Sequence, residues 1–414
     1  MPYRTIHESE IPIVAGIQAQ SFRSDPARYV ESYTEGGRMS WRELRLYDDD
    51  RGQPVAALTL FFRQMSLNGG ELEAGLVASV GVPPEHRRRG FGRQMMQGLL
   101  KELHTRKTPV SLLFPFSVAW YRSLGYGLAN FSWHIEQPMR LLPDFPERLH
   151  VRRASVDDEA AMRACHERAR LDPANNGWLT RTEAEWTKRA FKPENERALF
   201  EADGQVEGYL LYRLDWDAVE VIEWVATSER AWRGLLAFIS AQGEQARQLK
   251  ANLPQQSPVL WTLREPYDRT EEVVDFIFRR GALLVNGFML RVVHLQEALR
   301  QRRYPADVVA DLVLQIEDNQ LPANSQPLRL AVENGRATVT AAADQHNKHE
   351  VLKGTSVARA IRTDMATFSE LYAGVLTARQ ARVAGRLDGD DDACRSLTAV
   401  LAAAPFHMWP PDWF

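Results

Sequence analysis

Residues 77–96 read VASVGVPPEHRRRGFGRQMM, and the chain is organised around this stretch. An apolar run at 76–82 leads through a proline pair into a basic loop with Gly90 and Gly92, and a helical pattern follows at 94–103. A strand, a glycine-rich loop and a helix start in this order are typical of a phosphate site, because loop amides and the helix N-terminus face the anion. Charge suited to phosphate comes from four arginines of this stretch, Arg87, Arg88, Arg89 and Arg93. The stretch therefore predicts a phosphate-binding loop, with a solvated basic turn as the alternative.

The composition is that of an ordinary soluble globular protein. The 414 residues suffice for two or three domains, and 44% of them are hydrophobic and 25% charged. A formal net charge of -3 gives no overall nucleic-acid signature, so no nucleic-acid partner is expected. Cys165 and Cys394 are too few for a disulfide framework or a zinc site and suit a reducing cytoplasm. Since neither a signal pattern nor a bilayer-spanning apolar run occurs, we expect a cytoplasmic protein without a membrane partner.

The loop matches neither of the two common phosphate motifs. No Lys-Ser/Thr pair follows the glycines, as the Walker pattern requires, and the dinucleotide fingerprint is also missing. The hexapeptide Arg87-Arg88-Arg89-Gly90-Phe91-Gly92 instead resembles the acyl-CoA loop of the GNAT N-acetyltransferases. A second segment, PFSVAWYRSLGYG at 115–127, resembles the end of the acetyltransferase domain in the Eis (enhanced intracellular survival) family. The strands and helices expected up to a closing strand at 131–135 also follow the order of an acetyltransferase domain.

The resemblance implies acetyl-CoA as co-substrate and assigns its contacts residue by residue. Backbone partners of the pantetheine arm are then Val80, Gly81 and Val82. The pyrophosphate and helix-start contacts are then Arg88, Arg89, Gly90, Phe91, Gly92 and Arg93. Tyr121 and Arg122 fall where the family touches the cofactor again. His86, just before the arginine run, receives no role, and no metal is implied.

Tyr126 in the Gly-Tyr-Gly turn stands where the Eis family has its general acid. Aminolysis of a thioester expels a thiolate, which leaves more easily when a nearby acid donates a proton to the sulfur. A phenol with an ordinary pKa of about 10 is protonated at neutral pH and can supply that proton. The alternative is a tyrosine that only packs a glycine turn.

Residues 149–170 resemble the start of the chain, and both stretches predict a strand, an acidic loop and an amphipathic helix. Antiparallel strands follow again, which indicates an internal duplication. The copy has Arg233-Gly234-Leu235-Leu236 where the first domain has Arg-Gly-Phe-Gly. With one glycine and much of the charge lost, we expect a structural domain without cofactor. Strands at 258–264 and 283–293, with a helix at 273–280 between them, are expected to complete it.

From about residue 304 the pattern predicts three strands followed by three helices, an α+β arrangement. The strands are expected at 308–317, 327–333 and 336–340, and the helices at 363–372, 377–384 and 392–402. Position and order resemble the sterol-carrier-like domain that ends Eis proteins. A packing role is the simpler interpretation of this domain, since the resemblance implies no lipid carriage here.

The chain ends PFHMWPPDWF, unusually apolar for a terminus, and we expect this tail to be buried. In the Eis family the terminal carboxylate is the general base, and Phe414 holds that position here. Desolvation can raise the pKa of a carboxylate enough to serve as a base. An aromatic tail that only packs at a subunit contact is the alternative. Asp412 is a further candidate, for holding a cationic substrate.

Together these observations predict an α/β (α+β) protein of two tandem GNAT acetyltransferase domains and a sterol-carrier-like domain. The expected boundaries are 1–148, 149–300 and 301–414. The resemblance implies an acetyl-CoA-dependent N-acetyltransferase that acts on amines of a cationic substrate, of the aminoglycoside, polyamine or lysine type, and that assembles as a homohexamer. The alternative is a non-catalytic, CoA- or lipid-responsive binding protein on the same scaffold.

Overall fold

The structure, a computed structural model, describes residues 2–34, 39–265, 273–275, 278–342 and 359–414. Its contacts divide the chain into two compact units. Unit 1 comprises Met1–Ala129, Phe288–Ala403 and Phe414. Unit 2 comprises Asn130–Gly287 and Ala404–Trp413. The division follows contacts in space, so each unit contains segments that lie far apart in sequence.

The strands and helices follow one another in three segments of the chain. The first segment holds β1 (Tyr3–Thr5), α1 (Ile11–Phe22), α2 (Pro26–Tyr33), β2 (Leu44–Asp48), β3 (Pro54–Leu67), β4 (Gly70–Gly81), α3 (Phe91–Thr105), β5 (Val110–Leu113), α4 (Val118–Arg122) and β6 (Gly127–Leu128). The second holds β7 (Phe131–Pro138), β8 (Val151–Arg153), α5 (Glu159–Arg170), α6 (Glu183–Glu185), β9 (Glu196–Ala202), β10 (Gln205–Leu214), β11 (Ala218–Ala226), α7 (Glu229–Ser240), β12 (Gln248–Pro254), α8 (Val259–Thr262), β13 (Val273–Asp275), β14 (Phe278–Arg279) and β15 (Leu283–Asn286). The third holds β16 (Met289–Val292), α9 (Leu295–Gln301), β17 (Ala310–Glu317), β18 (Leu328–Glu333), β19 (Arg336–Ala341), β20 (Arg359–Asp364), α10 (Met365–Tyr372), α11 (Ala378–Val383), β21 (Leu387–Asp388) and α12 (Asp391–Val400).

Unit 1 is organised around a seven-stranded mixed sheet in the order β1-β2-β3-β4-β5-β16-β6. Its one parallel pair joins β4 to β5, and β16 enters from late in the chain to pair antiparallel with β5. Helix α3 covers the sheet because its apolar residues recur every three to four positions: Met95, Met96, Leu99, Leu100 and Leu103 are all buried. A second sheet of this unit has the order β19-β18-β17-β20-β21.

Unit 2 repeats the arrangement with a seven-stranded sheet in the order β15-β7-β12-β11-β10-β9-β8. Strand β7, predicted as the strand that closes the first domain, forms here and pairs antiparallel with β12 and β15. The predicted single strand at 283–293 is two strands, β15 and β16, which belong to different sheets. The change of sheet occurs at Gly287, where a Cβ would lie 2.3 Å from the side-chain oxygen of Asn130.

Three local predictions differ from the structure. Residues 258–264, expected as a strand, contain helix α8, because Pro258 stands just before the helix, where its missing N–H costs no hydrogen bond. The described parts of the expected helix 273–280 are strands β13 and β14, and residues 276–277 lie outside the described residues. Strand β20 was not predicted, and it takes the first two residues of the expected helix at 363–372.

Within the described ranges, no helix is both long and apolar enough to cross a lipid bilayer.

Candidate active site

A cavity of unit 1 opens where its two parallel strands stop pairing. Strands β4 and β5 pair as far as Val77 and Leu113, and β4 then continues without β5. An extra residue in β4 opposite β3 forms a bulge, with Ser79 at φ 52°, and a bulge of this kind bends a strand. The side chain of Gln18 donates to the carbonyl oxygen of Ser79 at 3.2 Å and so holds the bulge. The resulting cavity has a volume of about 810 Å³.

The loop at 82–90 leads from this strand to the start of helix α3. A single 3₁₀ turn, Pro84–His86, begins the loop, and Arg87 Nε donates to the carbonyl oxygen of Val82 at 3.1 Å. Gly90 precedes the helix at φ 88°, a conformation that favours glycine. The first amides of a helix have no partner inside it, and no acidic residue stands in the first turn of α3. The loop thus presents amides and arginines to one end of the cavity, as a phosphate requires.

Most of the residues predicted to bind the cofactor line this cavity. They are Val80, Val82, Arg88, Gly90, Phe91, Gly92, Arg93 and Tyr121. Phe414, the predicted base, lines it as well. The structure thus brings the loop and the last residue of the chain to one cavity.

Three predicted cofactor residues do not line the cavity, for reasons visible in their contacts. Gly81 allows β4 to pack closely on α1, since a Cβ there would lie 2.7 Å from Ser21 Oγ. The Arg89 guanidinium lies over the Phe91 ring at 4.9 Å. Arg122 forms an ion pair with Glu370 of helix α10.

The turn that carries Tyr126 requires both of its glycines. Gly125 has φ 87°, and a Cβ there would lie 1.5 Å from Arg291 Nη1. A Cβ on Gly127 would lie 2.5 Å from the carbonyl oxygen of Ala366. The turn is therefore fixed by close packing on both sides of Tyr126.

Tyr126 is fully buried and is not among the residues that line the cavity. Its hydroxyl forms a 2.8 Å hydrogen bond with Ser111 Oγ. Burial raises the pKa of Tyr126 to about 12, although the Ser111 hydrogen bond and the Arg291 charge oppose the rise. Its ring lies 5.9 Å from that of Tyr121, which does line the cavity and whose pKa burial also raises. Both phenols are therefore protonated at neutral pH.

The last residue is held at the cavity wall by aromatic contacts. The Phe414 ring lies 5.7 Å from that of Phe61 and 5.3 Å from that of Phe114, both within unit 1. The predicted role of the Phe414 carboxylate as the general base stays a prediction.

The tail before it, residues 404–413, packs into unit 2. Asn130 and Asn176 donate side-chain hydrogen bonds of 2.8 Å to the carbonyl oxygens of Phe406 and Ala404. Phe406, Met408 and Trp409 are buried, which confirms the predicted burial of this part of the tail, whereas Trp413 is 45% exposed.

Asp412 does not have the role suggested for it. Its carboxylate is buried and accepts a 2.5 Å hydrogen bond from Arg181 Nε, and the same guanidinium also pairs with the buried Glu223. Burial raises the pKa of the Asp412 carboxyl above its usual range. The expectation that Asp412 holds a cationic substrate was wrong, because a partner 231 residues away in the sequence already engages it.

Several cavity-lining residues received no role from the sequence: Ser21, Phe22, Val77, Ala78, Ser79, His86, Phe114, Phe116 and Trp120. Phe114 and Phe116 follow β5 directly, and Phe22 ends α1. Aromatic residues at the carboxyl end of a parallel strand are a signal that could have identified Phe114 and Phe116, since ligands bind at such strand ends.

Three domain families match the chain in succession. Residues 2–129 match an acetyltransferase (GNAT) domain, residues 177–292 match another acetyltransferase (GNAT) domain, and residues 295–409 match a sterol carrier protein domain. These matches confirm the predicted fold class and the order of its three domains. No curated protein matches the sequence.

Solved structures share the fold over the full chain. A GCN5-related N-acetyltransferase from Anabaena variabilis superposes with a TM-score of 0.82 at 21% identity, covering 100% of this chain and 99% of that chain. One from Kribbella flavida gives 0.78 at 24% identity, covering 100% and 98%. Eis1 from Mycobacterium abscessus gives 0.76 at 18% identity, covering 100% and 99%. At these identities the likeness establishes the fold.

Proposed function

We propose that this chain, an N-acetyltransferase with the domain architecture of the Eis family, transfers the acetyl group of acetyl-CoA to a primary amine in the cavity of unit 1. One observation carries the proposal: the glycine-arginine loop, the start of helix α3 and the last residue of the chain line the same cavity. A phosphate site and a carboxylate at one cavity are what an acyl-CoA-dependent transfer to an amine requires.

The cofactor is assigned to the loop end of the cavity. The first amides of α3 and the side chains of Arg88 and Arg93 would hold the pyrophosphate, and Gly90 would let the backbone approach it. The backbone of Val80 and Val82, on and beyond the bulged end of β4, would hold the pantetheine arm. Acetyl-CoA supplies the activated acyl group, a thioester.

The transfer is proposed to be direct. The amine nitrogen forms a bond to the acetyl carbonyl carbon, the carbon–sulfur bond breaks, and the electron pair leaves with sulfur as a thiolate. The Phe414 carboxylate takes the proton that the attacking ammonium must lose, and the Tyr126 hydroxyl gives a proton to the thiolate. The Tyr126 phenol is protonated in a turn fixed by Gly125 and Gly127, but Tyr126 does not line the cavity, so its role as the acid rests on the family resemblance.

Further parts of the proposal rest on the family resemblance. They are a cationic substrate of the aminoglycoside, polyamine or lysine type, a homohexameric assembly, and domain boundaries at 1–148, 149–300 and 301–414. Light scattering tests the assembly, since a monodisperse monomer would contradict it.

The enzymatic proposal is tested by release of CoA thiol from acetyl-CoA with a panel of amines. We expect amine-dependent release that falls at least about 100-fold in Tyr126→Phe and in a chain lacking Phe414. Tyr121→Phe is the matched control, because it removes the hydroxyl of the neighbouring tyrosine. It should lower the rate of CoA release by a smaller factor. Binding of acetyl-CoA without release on any amine would instead indicate a non-catalytic binding protein.

A further inference from the structure

The turn that carries Tyr126 is held by residues that come much later in the chain. The carbonyl oxygen of Leu124 accepts a 2.6 Å hydrogen bond from Arg291 Nη1, and the Ser369 hydroxyl lies 3.3 Å from the carbonyl oxygen of Gly125. Both carbonyl groups belong to the two residues that precede Tyr126. Partners 167 and 244 positions away in the sequence thus fix the backbone from which the Tyr126 side chain projects.

Glu370 of helix α10 holds the other side of the turn. One carboxylate oxygen accepts a 3.2 Å hydrogen bond from the backbone N–H of Leu128 and pairs with Arg122, and the other accepts a 2.7 Å hydrogen bond from Arg386. The Glu370 side chain is buried, and a Cβ on Gly127 would lie 2.5 Å from its Cγ. Glu370 thereby joins Arg122, which precedes the turn, to Leu128, which follows it.

Arg291 is itself fixed by an ion pair. Its Nη2 donates to both carboxylate oxygens of Asp318, at 2.9 and 2.8 Å, and both side chains are buried. Asp318 also accepts hydrogen bonds from the backbone N–H groups of Gln320 and Leu321, at 3.0 and 3.1 Å. A buried carboxylate whose lone pairs are taken up in this way keeps its ion pair in one place. The Arg291 guanidinium therefore holds the Leu124 carbonyl group from a fixed position.

Most of these contacts come from the part of the chain that matches a sterol carrier protein domain. Asp318, Ser369 and Glu370 all lie within the matched residues, 295–409. Apolar burial has no preferred direction, so a domain that only packs does not select one backbone geometry. Hydrogen bonds weaken steeply away from their preferred angles, and several of them converge here on a single turn. The domain therefore fixes the geometry of the turn in addition to burying surface.

We propose that the sterol-carrier-like domain positions the general acid: Glu370, with Arg291 and Asp318, sets the place from which the Tyr126 hydroxyl donates its proton. This inference rests on the proposed acetyl transfer and gives its third domain a function. A proton is transferred only within hydrogen-bond reach, and a displacement of about 1 Å can cost about 100-fold in rate. Glu370 is a positioning residue, because it acts through the turn and not on the reacting atoms.

The test is a double-mutant cycle on the full-length protein, measured as release of CoA thiol with an amine that is turned over. Glu370→Ala should lower kcat by about tenfold or more, with KM for acetyl-CoA within about threefold of native. In the Tyr126→Phe background the same substitution should change kcat by less than about twofold, because the hydroxyl that it positions is gone. Glu370→Gln keeps an acceptor for the Leu128 N–H and should recover most of kcat.

Two further variants complete the design. Ser369→Ala removes the hydroxyl near the Gly125 carbonyl oxygen with little change of volume, and should lower kcat by about threefold, again only while Tyr126 is present. Asp311→Ala is the matched control, because its ion pair with Arg329 joins β17 to β18 in the same domain, and it should keep native kcat in both backgrounds.

Hydrogen exchange measured by mass spectrometry gives a readout of the turn that does not depend on activity. Glu370→Ala frees the Leu128 N–H, so peptides covering residues 121–128 should exchange about tenfold faster or more, whereas Asp311→Ala should leave them native.

The outcomes separate this inference from the proposed function. Faster exchange of the turn, with a loss of kcat that disappears in the Tyr126→Phe background, supports the inference. Unchanged exchange, native kcat in Glu370→Ala, or an equal loss in both backgrounds overturns it and leaves the acetyltransferase standing. Native turnover in Tyr126→Phe overturns the acid and the inference together, and acetyl-CoA binding without turnover of any amine overturns the proposed function as well.

Discussion

The two units contain the same strand–helix junction with different contents. In unit 1 nine residues, 82–90, separate β4 from α3, whereas in unit 2 only residues 227–228 separate β11 from α7. The parallel strands behind the junction separate in both units, after Val77 in one and after Val221 in the other. The two units therefore share a fold, but unit 1 alone has a loop at this junction that is long enough to surround an anion.

In unit 2 protein groups take the places that an anion would need. Ser228 Oγ accepts a hydrogen bond from the backbone N–H of Ala231 in the first turn of α7. Arg230 is neutralised by Glu207 and Asp203. The indole rings of Trp224, on β11, and Trp232, on α7, stack at 5.4 Å beyond the last paired residues of the strands. Side chains fill the junction of unit 2, and its cation Arg230 is paired with carboxylates. Two units can therefore share a fold while one of them carries a cofactor site.

We expect the largest effect when the nine-residue loop of unit 1 is replaced by the two-residue junction of unit 2. Replacing residues 82–90 with Thr-Ser removes Gly90, three of the arginines (Arg87, Arg88 and Arg89) and the open start of α3. Acetyl-CoA binding, measured by calorimetry, should weaken by about 1,000-fold or more, because several charge-assisted hydrogen bonds are lost together. Circular dichroism serves as the folding control, and native affinity in a folded variant would refute the role of the loop.

The next effect concerns the buried ions of unit 2. Arg181→Met leaves Glu223 and Asp412 buried without their shared cation, and the free energy of unfolding should fall by about 3–5 kcal/mol in urea denaturation.

Arg247→Met is the control for this change. Its ion pair with Asp217 is 3.7 Å long and the Arg247 side chain is 89% exposed, so no measurable loss of stability is expected. Equal stability of Arg181→Met and Arg247→Met would mean that the ion pairs of Arg181 with Glu223 and Asp412 do not stabilise the packing of residues 404–413.

Glycines of the two units should respond differently to alanine. Gly90→Ala places a Cβ at φ 88° and should cost about 1–2 kcal/mol of local strain, which weakens acetyl-CoA binding by about tenfold. Gly385→Ala is its matched control, because Gly385 has φ 68° and equally open surroundings but does not line the cavity.

Gly234, expected to stand where the first domain has its glycine loop, lies inside helix α7 instead, and Gly234→Ala should act on stability alone. Its Cβ would lie 2.6 Å from the Phe200 ring, so overpacking by about 1–3 kcal/mol is expected with acetyl-CoA affinity unchanged. Weaker binding in this variant at unchanged stability would mean that unit 2 also holds cofactor.

The smallest effect concerns the alkaline side of the pH dependence, where kcat should show no decline near pH 10. Since burial raises the pKa of Tyr126 to about 12, its phenol keeps its proton well above the ordinary value. The amine loses its proton as pH rises, so kcat should increase and then hold up to about pH 11, with no decline centred near 10. A pH–rate profile checks this, and a tyrosinate absorbance titration locates the phenol. A decline in kcat near pH 10 that Tyr126→Phe abolishes would show an unperturbed phenol.

The cofactor loop could be predicted from the sequence because its signal is local. Gly90, Gly92 and the arginines are neighbours in the chain, and the structure places most of them at one cavity. Two strand pairings could not be predicted: β7 joins the second sheet and not the first domain that it was expected to close, and β16 joins the first sheet. Alternating apolar residues show that a strand forms without naming its partner. The aromatic lining of the cavity was missed for a related reason: Phe22 and Phe114 lie far apart in the sequence and line one cavity where β4 and β5 separate.

The proposed function requires that the chain binds one acetyl-CoA, at the junction of unit 1. Isothermal titration of the full-length protein with acetyl-CoA measures this directly, with Gly90→Ala titrated beside it. We expect one acetyl-CoA per chain, and a weaker affinity at the same stoichiometry in Gly90→Ala. Two acetyl-CoA per chain, or an affinity that Gly90→Ala leaves unchanged, would contradict the claim.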